Sequence, residues 1–583
     1  MRAFSKSDTK DYFAQQGTDC FDGGVMRRLG LALAVPLVLL SACSEKKADK
    51  SGEAAPSAPT VQPTVSSLPT PFDAAAMSDE DLAGQVLMPY AYGSDATIVD
   101  KTSAAGNRRL AGVDTPAEMV AKFHLGGLIL VGFTAQDPTG STNPATNVEN
   151  PQQVRKLTDG LQAAARQAGL PPLTIGTDQE YGVVTRITQG VTALPSAMAA
   201  GAAGSPALTE AAWRAAGEEL SAMGITVDFA PDADTLGPPA NTVIGSRSFG
   251  GNATANAAQV AAAVRGLQSA GVTAGLKHFP GHGHTSGDSH ATLPVVAQTA
   301  AQWRSQDLPP FQAGVQAGAG MVMSGHLDVQ ALDKGTAATF SHKVMTGELR
   351  GTLKFAGVAI TDAMNMPPAM KWPAGEAAVR ALNAGNDMLL MPPDIAGARD
   401  GILAGLKSGE LKRARLVEAV TRILALKSRA GAGTGLEAVG TPAHQQAVAA
   451  LDAASVTVLR GSCQGPLLTG PITVTASEGR EVARVNLVRA LQAAGAKVQA
   501  AGGRIVHLVG YGDRTVDLDP TAAVTVMMDT PYLLATATSP TLIATYSSSK
   551  LSLTALADLL AGTAKATGRS PVAVPGLPAS ACR

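Results

Sequence analysis

The chain has 583 residues, too many for one ordinary domain, and 45% of them are apolar, enough to fill two or three cores. Charged residues make up 16%, aromatics 4%, and the formal net charge is -1. No basic run or aromatic–basic patch occurs, which argues against nucleic acid as a partner.

In chain order, the first signal is an address. Met26-Arg27-Arg28 is a short positive segment, Leu29 to Leu40 is apolar but short for a bilayer span, and Leu40-Ser41-Ala42-Cys43 follows. This run resembles a bacterial lipoprotein signal, with an ordinary secretory signal as the alternative. The resemblance implies that residues 1–42 are leader and that Cys43 carries lipid. Asp8, Asp11, Asp19 and Asp22 suit a positive leader poorly, so Met26 is read as the start. Residues 43–70, rich in Ser, Pro, Ala and Lys, have too few large apolar side chains to fold and read as a flexible tether. The expected product is exported and anchored at the outer face of the cell membrane.

From Ser78 onward, β-rich runs alternate with amphipathic segments. The runs are 85–90, 127–131, 173–177, 226–230, 272–278, 320–324, 358–361 and 387–391. Helical patterns such as 206–223, 255–270 and 374–384 separate them. The expected fold class is α/β: a (β/α)8 TIM-type barrel over 71–432, closed by a helix near 411–430. A doubly wound sheet is the alternative, but no Gly-rich phosphate fingerprint follows the first run. Residues 433–444 read as a linker. Residues 445–583 read as a smaller α/β sandwich domain, with strands near 455–459, 472–475, 505–509 and 524–528 and helices near 482–494 and 551–560. Cys463 and Cys582 lie near the two ends of this region, and in an exported chain they are expected to pair.

Chemistry concentrates between Lys277 and His290, where His278, His282, His284 and His290 share one loop with Pro280, three glycines and Asp288. Barrel enzymes place their chemistry at the C-terminal ends of strands. Asp178, Glu180, Asp232, Asp234, Arg247, His326, Asp328 and Asp362 follow strand-like runs, and Lys277 and His278 end one. In an extended loop, positions i and i+2 face the same way, so Asp288 can orient His290 and leave its other ring nitrogen for proton transfer. Asp362 ends the run 358–361 and reads as a nucleophile or electrostatic stabiliser. A carboxylate facing an acid/base group is the logic of retaining glycoside hydrolysis, here with imidazolium as the acid. His282 and His284 read as loop stabilisers, His326 and Asp328 as supporting groups, and Met364–Met370 as packing at the pocket rim. Four imidazoles with Asp288 would suit zinc, but no H-E-x-x-H spacing occurs and no metal is expected.

Lys277-His278-Phe279-Pro280-Gly281-His282-Gly283 with Asp288-Ser289-His290 resembles the signature of bacterial β-N-acetylglucosaminidases (NagZ type) of glycoside hydrolase family 3. Thr177 to Gly182 is similar to that family's Asp-x-Glu-Gly-Gly segment, Val243 to Gly250 to its Arg-Ser-Phe-Gly segment, and Thr361-Asp362 to its nucleophile segment. Residues 529–532 and 568–571 resemble the C-terminal domain of longer members. The resemblance implies Asp362 as nucleophile, His290 as acid/base oriented by Asp288, and Asp178, Arg186, Arg247, Lys277 and His278 as sugar-binding groups. It implies an exo-acting enzyme without cofactor, acting on a carbohydrate with terminal β-linked GlcNAc, with peptidoglycan fragments as the natural class; a monomer is expected, although the sequence does not fix the oligomeric state. Two positions depart from the family: His284 replaces an Asp, and Val183 replaces an Arg. The alternatives are a phosphorylase, a β-glucosidase or β-xylosidase of the same fold, and a non-catalytic glycan-binding surface lipoprotein.

Overall fold

The computed structural model describes residues 72–582, apart from 133–136, 138, 140–144, 238, 240, 286, 430 and 432. The leader, Cys43 and the tether lie outside the described residues. Among the described residues, no helix is long and apolar enough to cross a membrane.

Ten strands belong to the larger part: β1 (Leu87–Met88), β2 (Gly127–Leu130), β3 (Thr174–Thr177), β4 (Val227–Asp228), β5 (Thr273–Phe279), β6 (Val295–Val296), β7 (Met321–Ser324), β8 (Asp328–Val329), β9 (Val358–Thr361) and β10 (Leu389–Leu390). Six of them form one curled parallel sheet in the order β2-β3-β4-β5-β7-β9. β1 and β10 form a separate parallel pair. The Ile129 N–H donates to Pro89 just after β1 (3.0 Å), and the Thr361 N–H donates to Met388 just before β10 (3.1 Å). β6 and β8 make a small parallel pair beside the sheet. The strands of the curled sheet are buried along their length, which is why the sequence shows continuous apolar runs there instead of alternation.

Helices cover the sheet. Pro151–Gln167, Pro206–Ala222 and Ala253–Ser269 begin at Asn150, Ser205 and Asn252, whose side chains accept N–H bonds from Gln153, Leu208 and Ala255. The first two also carry Pro at the start, where its missing N–H costs nothing.

The smaller part holds β11 (Thr457–Arg460), β12 (Ile472–Ala476), β13 (Arg504–Val509), β14 (Val524–Met527) and β15 (Thr541–Ala544), in the order β11-β15-β14-β13-β12. All neighbours are parallel except β11 and β15. β15 has no counterpart among the predicted strands. Helices Glu481–Ala493 and Lys550–Ala561 pack on this sheet. A further helix, Pro442–Ser455, starts inside the segment read as a linker, because Thr441 caps it and Pro442 opens it. Its Val448 and Leu451 join the core of the larger part. Met198, Leu236 and Ile244 of the larger part share one apolar cluster with Val509, Met527 and Tyr546 of the smaller part, so the two are joined by buried apolar surface. Cys463 and Cys582 are disulfide-bonded, with Cα atoms 5.4 Å apart.

Candidate active site

The carboxyl ends of β3, β4, β5 and β9 carry a dense ionic network. Lys277 on β5 reaches Asp178 (2.7 Å) and Glu180 (2.5 Å). Arg247, on the short turn Gly245–Arg247, forks onto Glu180 (2.7 and 2.9 Å) and lies 3.2 Å from Asp232. Arg186 pairs with Asp137, lies 3.4 Å from Asp178 and donates to Thr139 (2.9 Å). His278 Nδ1 lies 2.8 Å from Asp234. All four cationic groups are buried, which ions tolerate only when paired.

The network sets its own charge states. Burial alone would raise the Glu180 pKa, but Arg247 and Lys277 outweigh it and hold the carboxylate ionised. Burial would lower Lys277, but Asp178 and Glu180 raise it above its ordinary value. His278 is likewise raised by Asp234 against the effect of burial. Asp232 goes the other way: burial, with Glu180 adding to it against Arg247, pushes it up to about 7. Asp232, Asp234 and His278 are close enough to hold an ion, the one such trio among the described residues. Arg247 already stands against Asp232 and the His278 ring already occupies Asp234, so the trio reads as part of the ion-pair network.

The histidine loop is tied down at several points. Gly281 has φ 129°, and a Cβ on Gly283 would sit 1.9 Å from the Thr235 carbonyl, so the chain passes here only without side chains. The His282 N–H donates to Asp234 (2.6 Å), and its ring lies between the hydroxyls of Thr285 (2.8 Å) and Ser289 (3.1 Å). Asn241 donates to the carbonyls of His282 and Gly283. His284 pairs with Asp307 (2.8 Å). His290 Nδ1 lies 2.8 Å from Asp288 Oδ1. This pairing comes from a turn, not from the extended strand expected. The N–H groups of Ala291 and Thr292 donate to the Asp288 carbonyl, and the His290 N–H to the Asp288 side chain. An Asp side chain closing onto the backbone two residues on is a turn that needs no sheet partner. Burial opposes ionisation of Asp288, but the His290 ring and N–H lower its pKa below the usual carboxylate value.

Asp362 follows β9. Its N–H donates to Ser324 on β7 (2.9 Å), and its Oδ1 accepts the Ala363 N–H (2.8 Å). His326 bridges Thr339 and the Ala363 carbonyl, which steadies the peptide after Asp362. Burial would raise the Asp362 pKa, but the imidazoles of His278, His326 and His290 outweigh it and hold it below the usual value. Asp362 and His290 line one cavity with Asp178, Arg186, Arg247, Lys277 and His278, over a floor of Met323, Met366, Leu390 and Met391. Of the residues singled out from sequence, Asp288 stands behind His290 and does not line the cavity. Asp137 escaped the sequence reading. It sits past the end of β2, the strand-end position that marked Asp178 and Asp362, and that was the signal available.

The Asp362 carboxylate and the Asp-backed His290 imidazole thus face one polar cavity with an apolar floor. The sequence profile of the glycosyl hydrolase family 3 N terminal domain matches residues 87–426. Beta-hexosaminidase A of Pseudoalteromonas piscicida is 34% identical over 385 residues, which cover 60% of this chain and 62% of that relative, less than two thirds of its length. A beta-hexosaminidase of Pseudomonas aeruginosa (strain LESB58) is 38% identical over 267 residues, 45% of this chain and 76% of that protein. A solved glycoside hydrolase family 3 beta-N-acetylglucosaminidase from Paenibacillus sp. str. FPU-7 superposes with a TM-score of 0.74 at 30% identity, covering 86% of this chain and 99% of that one. The chain belongs to glycosyl hydrolase family 3.

Proposed function

We propose that this protein is an exo-acting, retaining β-N-acetylglucosaminidase that removes terminal β-linked GlcNAc. The observation that carries the reading is the placement of Asp362 and His290 on one cavity, with Asp288 behind the His290 ring. In the first step the Asp362 carboxylate attacks the anomeric carbon, the bond to the leaving oxygen breaks, and that oxygen takes the His290 Nε2 proton. In the second, water attacks the same carbon, gives its proton to His290 and releases Asp362. Asp288 accepts from the other ring nitrogen and so stabilises the imidazolium. Asp178, Arg186, Arg247, Lys277 and His278 hold the sugar hydroxyls; because each is tied to a charged neighbour, they are positioned before substrate arrives.

Four further readings belong to this proposal. The backbone bonds from β2 to Pro89 and from Thr361 to Met388 support a ring of eight strands, a (β/α)8 barrel, with β1 and β10 completing it. Residues 71–432 form the catalytic domain, 433–444 the junction and 445–583 the second domain. The sequence Leu40-Ser41-Ala42-Cys43 supports export and a lipid anchor at Cys43, with the tether holding the enzyme at the outer face of the cell membrane. That position supports peptidoglycan fragments as the natural substrate class; a monomer is the proposed working form.

A panel of 4-nitrophenyl β-glycosides tests the reading. The β-N-acetylglucosaminide is expected to be preferred, with free GlcNAc released even in phosphate buffer. Preference for the β-glucoside or β-xyloside, or formation of sugar 1-phosphate, would overturn it. Asp362→Asn is expected to lower kcat by about a thousandfold or more while the protein stays folded.

A further inference from the structure

Arg247 owes its position to a turn outside the sheet. Lys277 and His278 lie on β5 and Asp178 directly follows β3, but Arg247 stands on the turn Gly245–Arg247, well past the end of β4. This segment borders the catalytic cavity, which Val243 and Arg247 line together with Asp362 and His290. The Arg247 guanidinium donates to the Val243 carbonyl (3.1 Å), and the Gly245 N–H donates to the Asn241 carbonyl (3.1 Å). The backbone of the turn and the charged head group are thereby tied to each other.

The other face of the same segment rests on the smaller part of the molecule. Ile244 is buried in the apolar cluster shared with Val509, Met527 and Tyr546. Thr530, just past β14, packs on Gly245, where a Cβ would lie 3.5 Å from its methyl group. The Gly251 N–H donates to the Pro571 carbonyl (3.0 Å), and a Cβ on Gly250 would sit 2.7 Å from that oxygen, so the approach needs glycine. Between these contacts the Ser246 hydroxyl donates to Asp529, and both residues are buried. Burial pushes the Asp529 pKa up, and of the groups that oppose it Ser246 comes first, ahead of Thr530 and Arg480. A buried carboxyl is costly without partners, and the main partner of this one belongs to the other part of the molecule.

We infer that Asp529 is a positioning residue for Arg247: through Ser246 it fixes the turn that carries the guanidinium, and the smaller domain thereby sets how tightly the site holds the sugar it releases. The inference rests on the glycosidase reading above, in which Arg247 holds a sugar hydroxyl. Glu180 and Asp232 fix the head group from the larger part, but a forked pair of hydrogen bonds tolerates little displacement. A turn shifted by about an ångström loses either the fork onto Glu180 or the contact with the sugar. Ser246 directly precedes Arg247, so the bond to Asp529 acts one residue from the side chain it positions. Among the described residues, none of the smaller part lines the catalytic cavity, and its influence passes through this turn.

Free GlcNAc, used as a competitive inhibitor of 4-nitrophenyl β-N-acetylglucosaminide hydrolysis by the full chain, reads this position. Its Ki reports how well the site holds the sugar and does not depend on how much of the protein is folded, whereas the measured kcat falls with any loss of folded enzyme. Asp529→Ala and Ser246→Ala are each expected to raise Ki by about tenfold, the loss of one hydrogen bond to a charged group. The double variant is expected to be no worse than either single one, because both remove the same bond. Asp529→Asn keeps an acceptor for Ser246 and is expected to hold Ki within about twofold of the wild type. Should Asp529→Ala not fold, Ser246→Ala tests the same bond from its other end. A wild-type Ki in Ser246→Ala, with or without a lower kcat, would overturn the inference and leave the glycosidase reading standing. So would a double variant whose Ki rises by the product of the two single effects. A wild-type protein that does not cleave the glycoside would overturn that reading and the inference with it.

Discussion

His282 stays uncharged at neutral pH because burial, helped by the neighbouring His278 and opposed by Asp234, holds its pKa at about 4. Its ring nitrogens are taken by the Thr285 and Ser289 hydroxyls, so a proton added there has to displace a hydrogen bond inside a buried loop. The unfolded chain binds that proton near pH 6.5 and the folded chain only near pH 4. The stability this ring contributes is therefore complete above pH 6.5 and is lost as pH falls through 4, an effect of about 3 kcal/mol. Asp362 and Asp288 are both held below the usual 3.8 and remain anionic across this window. Acid inactivation between pH 6.5 and 4 is thus expected to follow loop unfolding, with the nucleophile still ionised. Urea unfolding at pH 7 and pH 5 should show the loss, and His282→Gln should flatten the difference; an unchanged pH dependence in that variant would place the acid sensitivity elsewhere. At this scale the sequence was readable where chemistry is local. The Asp-x-His spacing predicted the Asp288–His290 pair correctly although the backbone there is a turn, because side-chain closure over two residues works in either geometry. The pairing of Asp137 with Arg186 and the Glu180 fork onto Arg247 were not readable, since partners so far apart in the chain are chosen by the fold.

The helix Pro442–Ser455 carries the next consequence. It lies on both parts of the molecule, with Leu451 in the larger core and Asp452 facing Lys550–Ala561, where Oδ1 accepts from Ser552. Asp452 Oδ2 is buried and has no partner among the described residues, and burial, opposed only by Ser552, pushes the carboxyl up to about 7. Below pH 3.8 the group is neutral in both states and costs nothing. Between 3.8 and 7 the folded chain holds the proton more tightly than the unfolded chain, so stability declines as pH rises, by roughly 4 kcal/mol in all. Asp452→Asn keeps an acceptor for Ser552 and removes the titration. Its melting temperature should exceed that of the wild type at pH 8 and approach it at pH 4; equal melting temperatures at pH 8 would show that Asp452 is not forced to ionise in a buried site. This helix also marks a limit of the sequence. Its alanines and glutamines lack a sharp apolar stripe, and its position was decided by contacts to two cores at once. β15 was also missed: Thr541–Ala544 is as long as β9 or β14, but the sequence around it was not read as a strand, and it lies between β11 and β14. The strands of the curled sheet were legible because burial on both faces leaves only apolar residues there.

For the molecule as a whole, the exposed edge that matters is β11. It ends the second sheet, paired on one side with β15, and an unpaired edge invites another chain to add to it. The C-terminal tail covers it: Gly568 donates to Val456 at 3.1 Å and Ala581 to Val458 at 2.7 Å. The Cys463–Cys582 bond sits at the end of this cover and closes a loop with a sequence separation of 119, which spans β12 to β15 and both helices of the sheet. A cross-link over so long a loop restricts the unfolded chain strongly, and 2–4 kcal/mol is roughly what such bonds contribute. The double variant Cys463→Ser/Cys582→Ser is therefore expected to melt at a lower temperature by that amount, with hydrolysis at 25 °C unaffected because neither sulfur lies near the catalytic cavity. A second effect follows from the edge: with the tail free to lift, β11 becomes available, and the variant should associate on warming before it unfolds. Light scattering during the melt detects this. A variant with the wild-type melting temperature and no early scattering would mean that the Gly568 and Ala581 bonds hold the tail unaided, and that the disulfide adds nothing to the edge they already cover.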